Sequence, residues 1–429
     1  MTLWLQSRRA LARSGSSKFV RDAGWLFISN VVSKALMLLG NAFAARCLGP
    51  FNLGISALVQ SVALQASLTC NGGFDYVAVR NIAHKPETAI EQSRVVIGTR
   101  LTIALAVSLV WVVAVLAAAP PNRRMVWLLG LPVFIGTAVN LNFVFQALER
   151  LPIQSRIGAF VSLLTAAAYF AFFKPGAQIG SDLIVAAVAN CVLMGLSWTA
   201  YKRVLGVWPF RLPRWEQSKT LFQNSWKYWL LTIAVALYTT MQVPIVVYSL
   251  GPSKAGIVRS AILLAAGLEL TFNSVNTLLL PRLVAWRKVG LNYMWERQKR
   301  LLLIYMAVGL PILACAVLAA PWVYTRFFGA AYSEGVHLFQ LLAVSRLVVF
   351  WGQIYSWGMV ANSQDKKFLT ATLTGALTSI LLTLLFIKSQ GIMTVGYASL
   401  LSETLIVSTC YLHSRETVFA KPGVSACES

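Results

Sequence analysis

Long apolar runs, repeated along nearly the whole chain, most narrowly limit what this sequence can fold into. Twelve runs of 17 to 26 residues follow one another with short polar breaks, and a helix needs about 20 apolar residues to cross the hydrocarbon core of a bilayer. Backbone groups in lipid must be satisfied within the segment, and these runs lack the alternation of a β-barrel. The sequence therefore predicts an all-α polytopic membrane protein of about twelve transmembrane helices. The predicted spans are residues 24–46, 52–74, 101–119, 125–148, 157–173, 183–201, 228–249, 255–280, 301–320, 336–360, 368–387 and 392–412.

The basic residues indicate how the chain is oriented. The 429 residues include 37 Lys and Arg against 14 Asp and Glu, a net charge of +23. Of the basic residues, 27 lie in the two tails and in alternate loops, whereas the opposite loops hold 6. Lys and Arg are enriched on the cytoplasmic side, so we expect both termini in the cytoplasm and a first helix that is retained. The partner expected for this charge is anionic membrane lipid, not nucleic acid.

A short motif occurs twice and predicts two halves. The chain reads LGPFNLGI from Leu48 to Ile55 and LGPSKAGI from Leu250 to Ile257, an offset of 202 residues that also pairs Arg80 with Arg282. Six helices in each half would give lobes that run in the same sense, with a substrate path between them and alternating access. A channel would carry a short pore-lining loop, which is not evident. The predicted units are a basic tail (1–23), an N-terminal lobe (24–201), a linker (202–227), a C-terminal lobe (228–412) and a C-terminal tail (413–429).

Ionisable side chains within the spans are the candidate site residues, because each costs about 2.5–3.5 kcal/mol at the bilayer centre. Four are basic and two are acidic, so we predict a cationic cavity that binds an anion; Arg in particular suits phosphate. Asn30 and Gln353 extend the polar faces of Lys34 and Arg346. The predicted substrate-binding residues are Lys34, Arg46, Arg259, Arg346, Asn30 and Gln353.

The two acids, Glu269 and Glu403, are predicted to bind H⁺ or Na⁺ if an ion drives transport. The alternative is that Lys34 or Arg346 pairs with one of these acids and merely holds helices together. Asp75, close to the end of a span, is expected to cap a helix or to pair with Arg80. Six Cys and three His show no metal-binding spacing, so we predict neither a metal site nor a cofactor.

Two segments around the first turn resemble the signature of the polysaccharide-repeat-unit flippases. They read AARCLGPFNLGISALVQS from Ala44 to Ser61 and NGGFDYVAVRNIA from Asn71 to Ala83; YSLGPSKAGIVRSA from Tyr248 to Ala261 is similar to that family's second-half turn. These flippases belong to the multidrug/oligosaccharidyl-lipid/polysaccharide exporter superfamily. Asn71 and Phe74 stand where the family usually has Asp and Leu.

The resemblance implies a transporter that is not an enzyme. Such a protein moves an undecaprenyl-pyrophosphate-linked oligosaccharide across the bacterial inner membrane for O-antigen, capsule or exopolysaccharide synthesis, and a glycan polymerase and export machinery are candidate partners. Exporters of the superfamily often place coupling carboxylates in helix 1, 7 or 10. These helices contain no Asp or Glu here, which leaves Glu269 or Glu403 for that role.

Three other functions stay open. A multidrug exporter of the same superfamily would favour an acidic cavity for organic cations, and a lipid II flippase would usually have two additional helices. A membrane glycan polymerase would be expected to carry a large outward loop with catalytic groups. The longest outward loop here, between the ninth and tenth spans, has about 15 residues, which disfavours the polymerase.

Overall fold

The computed structural model describes residues 16–276, 279–362 and 364–419, and within these ranges the chain forms helices and turns without a β-strand. The all-α prediction is confirmed. The helices are α1 (Ser16–Asn71), α2 (Phe74–His84), α3 (Ala89–Ala118), α4 (Arg124–Leu128), α5 (Gly130–Ala138), α6 (Asn142–Ala147), α7 (Leu151–Phe172), α8 (Ser181–Leu205), α9 (Trp215–Thr240), α10 (Gln242–Leu250), α11 (Pro252–Asn276), α12 (Leu279–Val289), α13 (Leu291–Val323), α14 (Gly335–Ala361), α15 (Asp365–Gln390) and α16 (Met393–Phe419).

Eight helical segments in the described part of the chain are long and apolar enough to cross a membrane. One of them, Val32–Asn71, corresponds to the first two predicted spans, which are separated where α1 leaves helical geometry at Gly49. The eight segments therefore account for nine of the twelve predicted spans. Of the other three, 125–148 is divided among α4, α5 and α6, and 228–249 is divided between α9 and α10. Most of 255–280 lies in the continuous helix α11.

Two of the predicted spans, 125–148 and 228–249, are interrupted helices in the structure. The first region is divided into α4, α5 and α6, and the Asn140 side chain accepts a hydrogen bond from the Asn142 backbone N–H at 2.8 Å in the gap before α6. In the second region α9 ends at Thr240 and α10 begins at Gln242. Pro244 lacks the N–H that would bond the carbonyl of Thr240, so the helix breaks one turn before this proline.

The two copies of the repeated motif adopt the same backbone conformation. Gly49 has φ 74° and ψ 165°, and Gly251 has φ 90° and ψ 167°, which are values that side chains rarely tolerate. The residues after the two glycines pack against each other reciprocally. A Cβ on Gly54 would lie 1.8 Å from the Pro252 carbonyl oxygen, and a Cβ on Gly256 would lie 1.9 Å from that of Pro50. The internal repeat is thus visible as a local two-fold contact between α1 and α11.

We call the end of the bundle that contains Gly49 and Gly251 the turn face. The opposite end, the linker face, contains the Asn71–Phe74 turn and residues 206–214, which join α8 to α9. An apolar core between α1, α10, α11 and α14 lies toward the turn face. The positions of the predicted lobe boundaries stay a prediction, although residues 206–214 fall within the proposed linker.

Candidate functional site

A cluster of polar side chains lies between four helices of the C-terminal half. We call its members, Arg346, Glu269, Glu403 and Tyr238, the mid-depth cluster. Arg346 of α14 places Nη1 3.7 Å from Oε2 of Glu269 on α11. Glu403 of α16 accepts a hydrogen bond from the hydroxyl of Tyr238 on α9, and both Glu269 and Arg346 act on Tyr238 and Glu403 electrostatically. The alternative in which Arg346 pairs with Glu269 or Glu403 therefore fits its contact with Glu269.

The Arg346–Glu269 contact is loose and accessible. A separation of 3.7 Å exceeds the distance of a hydrogen bond, and the side chains of Arg346 and Glu269 are 19% and 41% exposed. Glu403 is 5% exposed. Glu403 is therefore a buried carboxylate, whereas Glu269, the partner of Arg346, is partly open to the surroundings.

Lys34 lies on the face of α1 that meets α11. Leu38, one turn from Lys34, has a methyl carbon 3.0 Å from the position of a Cβ on Gly267, and Gly267 precedes Glu269 by two residues. Helix geometry therefore places Lys34 and Glu269 at similar depth along this contact. Lys34 is exposed and takes part in none of the ion pairs found among the described residues.

The two predicted polar neighbours of these bases are less informative. Gln353 lies seven residues beyond Arg346 on α14 and is half-buried. The side chain of Asn30 lies outside the described part of the structure. The proposed roles of both residues stay predictions.

The other two predicted bases lie at the turn face and contact the opposite half of the protein. Arg46 donates from Nη1 to the carbonyl of Arg326 at 3.0 Å. Arg259 donates from Nη2 to Oε1 of Gln60 at 2.8 Å. The four predicted bases are therefore not gathered in one place: Lys34 and Arg346 lie near the mid-depth cluster, and Arg46 and Arg259 lie at the turn face.

Asp182 completes the network around Arg259, and sequence reasoning missed it. Gln60 donates from Nε2 to Oδ2 of Asp182 at 3.1 Å, and Ser56 donates to Oδ1 at 2.6 Å. Asp182 is buried in the first turn of α8, where a carboxylate is favoured by the helix dipole. It precedes the predicted span 183–201, so it resembles an ordinary helix-start acid. We call Arg259, Gln60, Asp182 and Ser56 the turn-face network.

Asp75 pairs with Arg100, and the expectation that it pairs with Arg80 is wrong. Arg100 Nη2 lies 2.7 Å from Asp75 Oδ1, and the arginine side chain is 1% exposed. Arg80 follows Asp75 by five residues on α2, so the two side chains point to different sides of the helix. The sequence offered little signal for Arg100, because it immediately precedes the predicted span 101–119.

The fold and these contacts define a class of protein. Two halves that meet at matching glycine turns, with charged side chains in the middle of apolar helices, are typical of a multi-pass membrane transporter. The structure is similar to that of the lipid II flippase MurJ in an inward closed conformation, with a TM-score of 0.74, 14% identity, and coverage of 91% of this chain and 87% of that chain. It is also similar to an inward-facing multidrug resistance MATE family transporter of the MOP superfamily, with a TM-score of 0.72, 12% identity, and coverage of 90% and 94%.

Sequence comparison narrows the class to one family. The family model for polysaccharide biosynthesis proteins matches residues 19–286, so the chain belongs to the polysaccharide biosynthesis protein family. It is 21% identical over 414 residues to the "Putative O-antigen transporter" of Escherichia coli (strain K12), covering 94% of this chain and 96% of that protein. The expected resemblance to polysaccharide transporters is confirmed by this family match, and the family is one of transporters and not of enzymes.

Proposed function

We propose that the protein flips an undecaprenyl-pyrophosphate-linked oligosaccharide repeat unit across the bacterial inner membrane, for the synthesis of O-antigen, capsule or exopolysaccharide. Family membership supports a role in polysaccharide biosynthesis. The observation that carries the specific substrate is the loose pair between Arg346 and Glu269 at mid-depth, with Lys34 exposed on the facing helix. A pyrophosphate group requires bases at that depth, whereas a prenyl tail can stay in lipid.

The loose pair suggests how the site exchanges partners. Arg346 does not hydrogen-bond Glu269 at 3.7 Å, so a phosphate oxygen can replace the carboxylate as its partner and form a shorter, charge-assisted contact. Glu269, once displaced, is an uncompensated carboxylate that favours binding of H⁺ or Na⁺. In this proposal, substrate and ion bind to the same pair from opposite sides, which would couple their movements.

The turn face is closed in this structure, and we propose that it faces the periplasm. Gly54 and Gly256 contact the opposing backbone there, and the Tyr332 hydroxyl donates to the carbonyl of Ala45 at 2.6 Å. The two termini then lie on the cytoplasmic side, as the distribution of Lys and Arg predicts. Alternating access would open this face after the substrate binds from the linker face.

Anionic lipid is a proposed partner of the linker face. Trp208, Phe210 and Trp215 are exposed around the connection between α8 and α9, and Arg211 and Arg214 lie among them. Aromatic rings favour the headgroup region, and neighbouring bases are attracted to anionic lipid. A glycan polymerase and export machinery stay proposed partners by resemblance alone.

The proposed function is tested by measuring polysaccharide export in variants of Lys34 and Arg346. We expect Lys34→Ala and Arg346→Ala each to lower export of the polysaccharide at least about tenfold, because each removes a charge-assisted contact with the pyrophosphate. The matched control is Lys388→Ala, since Lys388 is exposed at the end of α15. Polysaccharide at the cell surface is measured in a strain that lacks the gene. Full complementation by both variants, at equal membrane abundance, would contradict the cationic site.

A multidrug exporter is the second candidate, and one observation favours it. The mid-depth cluster holds two carboxyl groups, Glu269 and Glu403, and one base, Arg346, and carboxylates are the groups that would bind an organic cation. The deletion strain separates the two functions. Accumulation of lipid-linked glycan with unchanged drug sensitivity supports the flippase, and the reverse result supports the exporter.

A further inference from the structure

A polar cavity at the linker face lies between the two halves of the protein and is separate from the mid-depth cluster. It has a volume of about 420 Å³, within the range of about 300–1,000 Å³ that is usual for small-molecule sites. The end of α1, α2 and α6 form one wall, and α9 forms the other. Its lining consists of Asn71, Gly73, Asp75, Tyr76, Val79, Gln146 and Thr232.

Close packing between Gly73 and α9 fixes the shape of this cavity. Gly73 has φ 66°, and a Cβ there would lie 2.6 Å from the backbone nitrogen of Trp229. Beside this contact, the ring of Tyr76 stacks on that of Tyr228, with centroids 5.1 Å apart and planes inclined by 20°. The two walls therefore meet at one edge through backbone and aromatic contacts, and the polar groups lie beside that edge.

The polar groups of the lining are mainly hydrogen-bond acceptors. Asn71 has a buried Oδ1 atom for which no hydrogen-bond partner is found among the described residues. Thr232 donates its hydroxyl hydrogen to the carbonyl of Tyr228 at 2.8 Å, so its oxygen is left to accept. Asp75 also presents a carboxylate whose side chain is 44% exposed. A buried acceptor without a donor is costly, so this cavity suits a ligand that supplies hydroxyl donors.

Charge rules out two other classes of ligand. None of the lining residues is basic, so the cavity does not suit a phosphate. Asp75 is the acidic member of the lining, and Arg100 lies 2.7 Å from it, so a metal cation would meet a carboxylate that is already neutralised. A neutral ligand with many hydroxyl groups fits these constraints, and the exposed ring of Tyr76 offers an apolar face of the kind on which a sugar ring can pack.

We propose that this cavity is a sugar-binding subsite, in which Asn71, Gln146 and Thr232 bind hydroxyl groups of the glycan while the mid-depth bases hold its pyrophosphate. The proposal rests on the proposed function. Its geometry is compatible with one ligand that reaches both places, because Thr232 and Tyr238 lie six residues apart on α9, about 9 Å along the helix axis. Glycan specificity would then come from the end of α1 and from α6 and α9, and affinity for the carrier from Lys34 on α1 and Arg346 on α14.

The test compares the binding of two lipids by the full-length protein in detergent. One probe is the lipid-linked glycan extracted from cells that lack the gene, and the other is undecaprenyl pyrophosphate. We expect the wild-type protein to bind the glycan-bearing lipid at least about tenfold more tightly, since two or three extra hydrogen bonds suffice for that factor. In the double variant Gln146→Leu/Thr232→Val, the affinity for the glycan-bearing lipid should fall to within about twofold of the affinity for undecaprenyl pyrophosphate. The affinity for undecaprenyl pyrophosphate itself should stay unchanged.

A matched double variant provides the control. Thr199→Val/Gln390→Leu removes the same groups from exposed positions and should keep the preference for the glycan-bearing lipid. The subsite is overturned if the wild-type protein binds both lipids equally, if Gln146→Leu/Thr232→Val keeps the preference, or if that variant loses affinity for both lipids alike. Failure of the wild-type protein to bind either lipid would instead overturn the proposed function. Asn71→Leu gives an independent variant if the double variant does not fold.

Discussion

At the scale of single residues, the two carboxylates of the mid-depth cluster have different surroundings. Glu269 lies at the contact between α1 and α11 and is open on one side, with Arg346 at 3.7 Å. Glu403 is buried and accepts a hydrogen bond from Tyr238. A group that binds and releases an ion during each cycle must be reached from water, so Glu269 is the better candidate for coupling, and Glu403 the better candidate for a fixed structural contact.

Replacement of these carboxylates by amides separates the two roles. We expect Glu269→Gln to lower transport by about tenfold or more and to remove its dependence on a proton or sodium gradient, because the amide cannot exchange with Arg346 as a charged group. Glu403→Gln should keep the gradient dependence, since an amide oxygen can still accept from Tyr238. Transport is measured in proteoliposomes with an imposed gradient. Equal gradient dependence in Glu269→Gln and the wild-type protein would exclude Glu269 as the coupling residue.

The sequence predicted which charged residues are unusual but not their partners. Lys34, Arg346 and Glu269 were recognisable because a charge in the middle of an apolar run is costly. Asp182 and Arg100 each lie immediately before such a run, where charges are common, and their burial follows only from helices that pack over them. Neither the 2.7 Å contact of Arg100 with Asp75 nor the bridging position of Gln60 has a signature in sequence spacing.

At the scale of helices, hydropathy located the spans but not their breaks. Residues 125–148 are apolar enough for one span, and yet the chain forms three short helices there. Composition alone does not show where a helix ends, because the end depends on individual side chains. The Asn140 side chain accepts a hydrogen bond from the backbone N–H of Asn142. Pro244 has no N–H to donate to the carbonyl of Thr240. The repeated glycine turns, in contrast, were predictable, because a Gly-Pro pair between two apolar runs specifies a turn.

The packing of α1 on α11 should depend strongly on the absence of a side chain at Gly54. A methyl group there would overlap the Pro252 carbonyl, and overpacking of this kind typically costs about 1–3 kcal/mol. We expect Gly54→Ala to lower the thermal unfolding midpoint in detergent and to reduce export. Gly195→Ala is the control, because nothing lies within 4 Å of a Cβ at Gly195 in α8. Similar unfolding midpoints for the two variants would contradict the close contact.

At the scale of the whole molecule, the turn-face network crosses between the two halves. Arg259 belongs to α11, Gln60 to α1 and Asp182 to α8. In the described part of the chain, the Gln60 side chain joins Asp182 to Arg259 by hydrogen bonds. Any motion that separates α1 from α11 at the turn face must break the contact between Gln60 and Arg259. The network therefore stabilises the conformation that is closed at this face, and its strength sets how often the face opens.

Removal of Gln60 should open the turn face more often. A hydrogen bond to a charged group contributes about 1.5–3 kcal/mol, so Gln60→Ala should shift the equilibrium toward the open state by a factor on the order of 10 to 100. Ala57 is 1% exposed and packs in the core between α1 and α11, so a cysteine at this position reports opening.

The measurement is the rate at which a membrane-impermeant thiol reagent labels Ala57→Cys in a protein whose six native cysteines are replaced. We expect faster labelling in the Gln60→Ala background. Gln340→Ala is the control, because the Gln340 amide donates to the carbonyl of Val317 within one half of the protein. That substitution should leave the rate unchanged, and an equally unchanged rate with Gln60→Ala would show that the network does not hold the turn face closed.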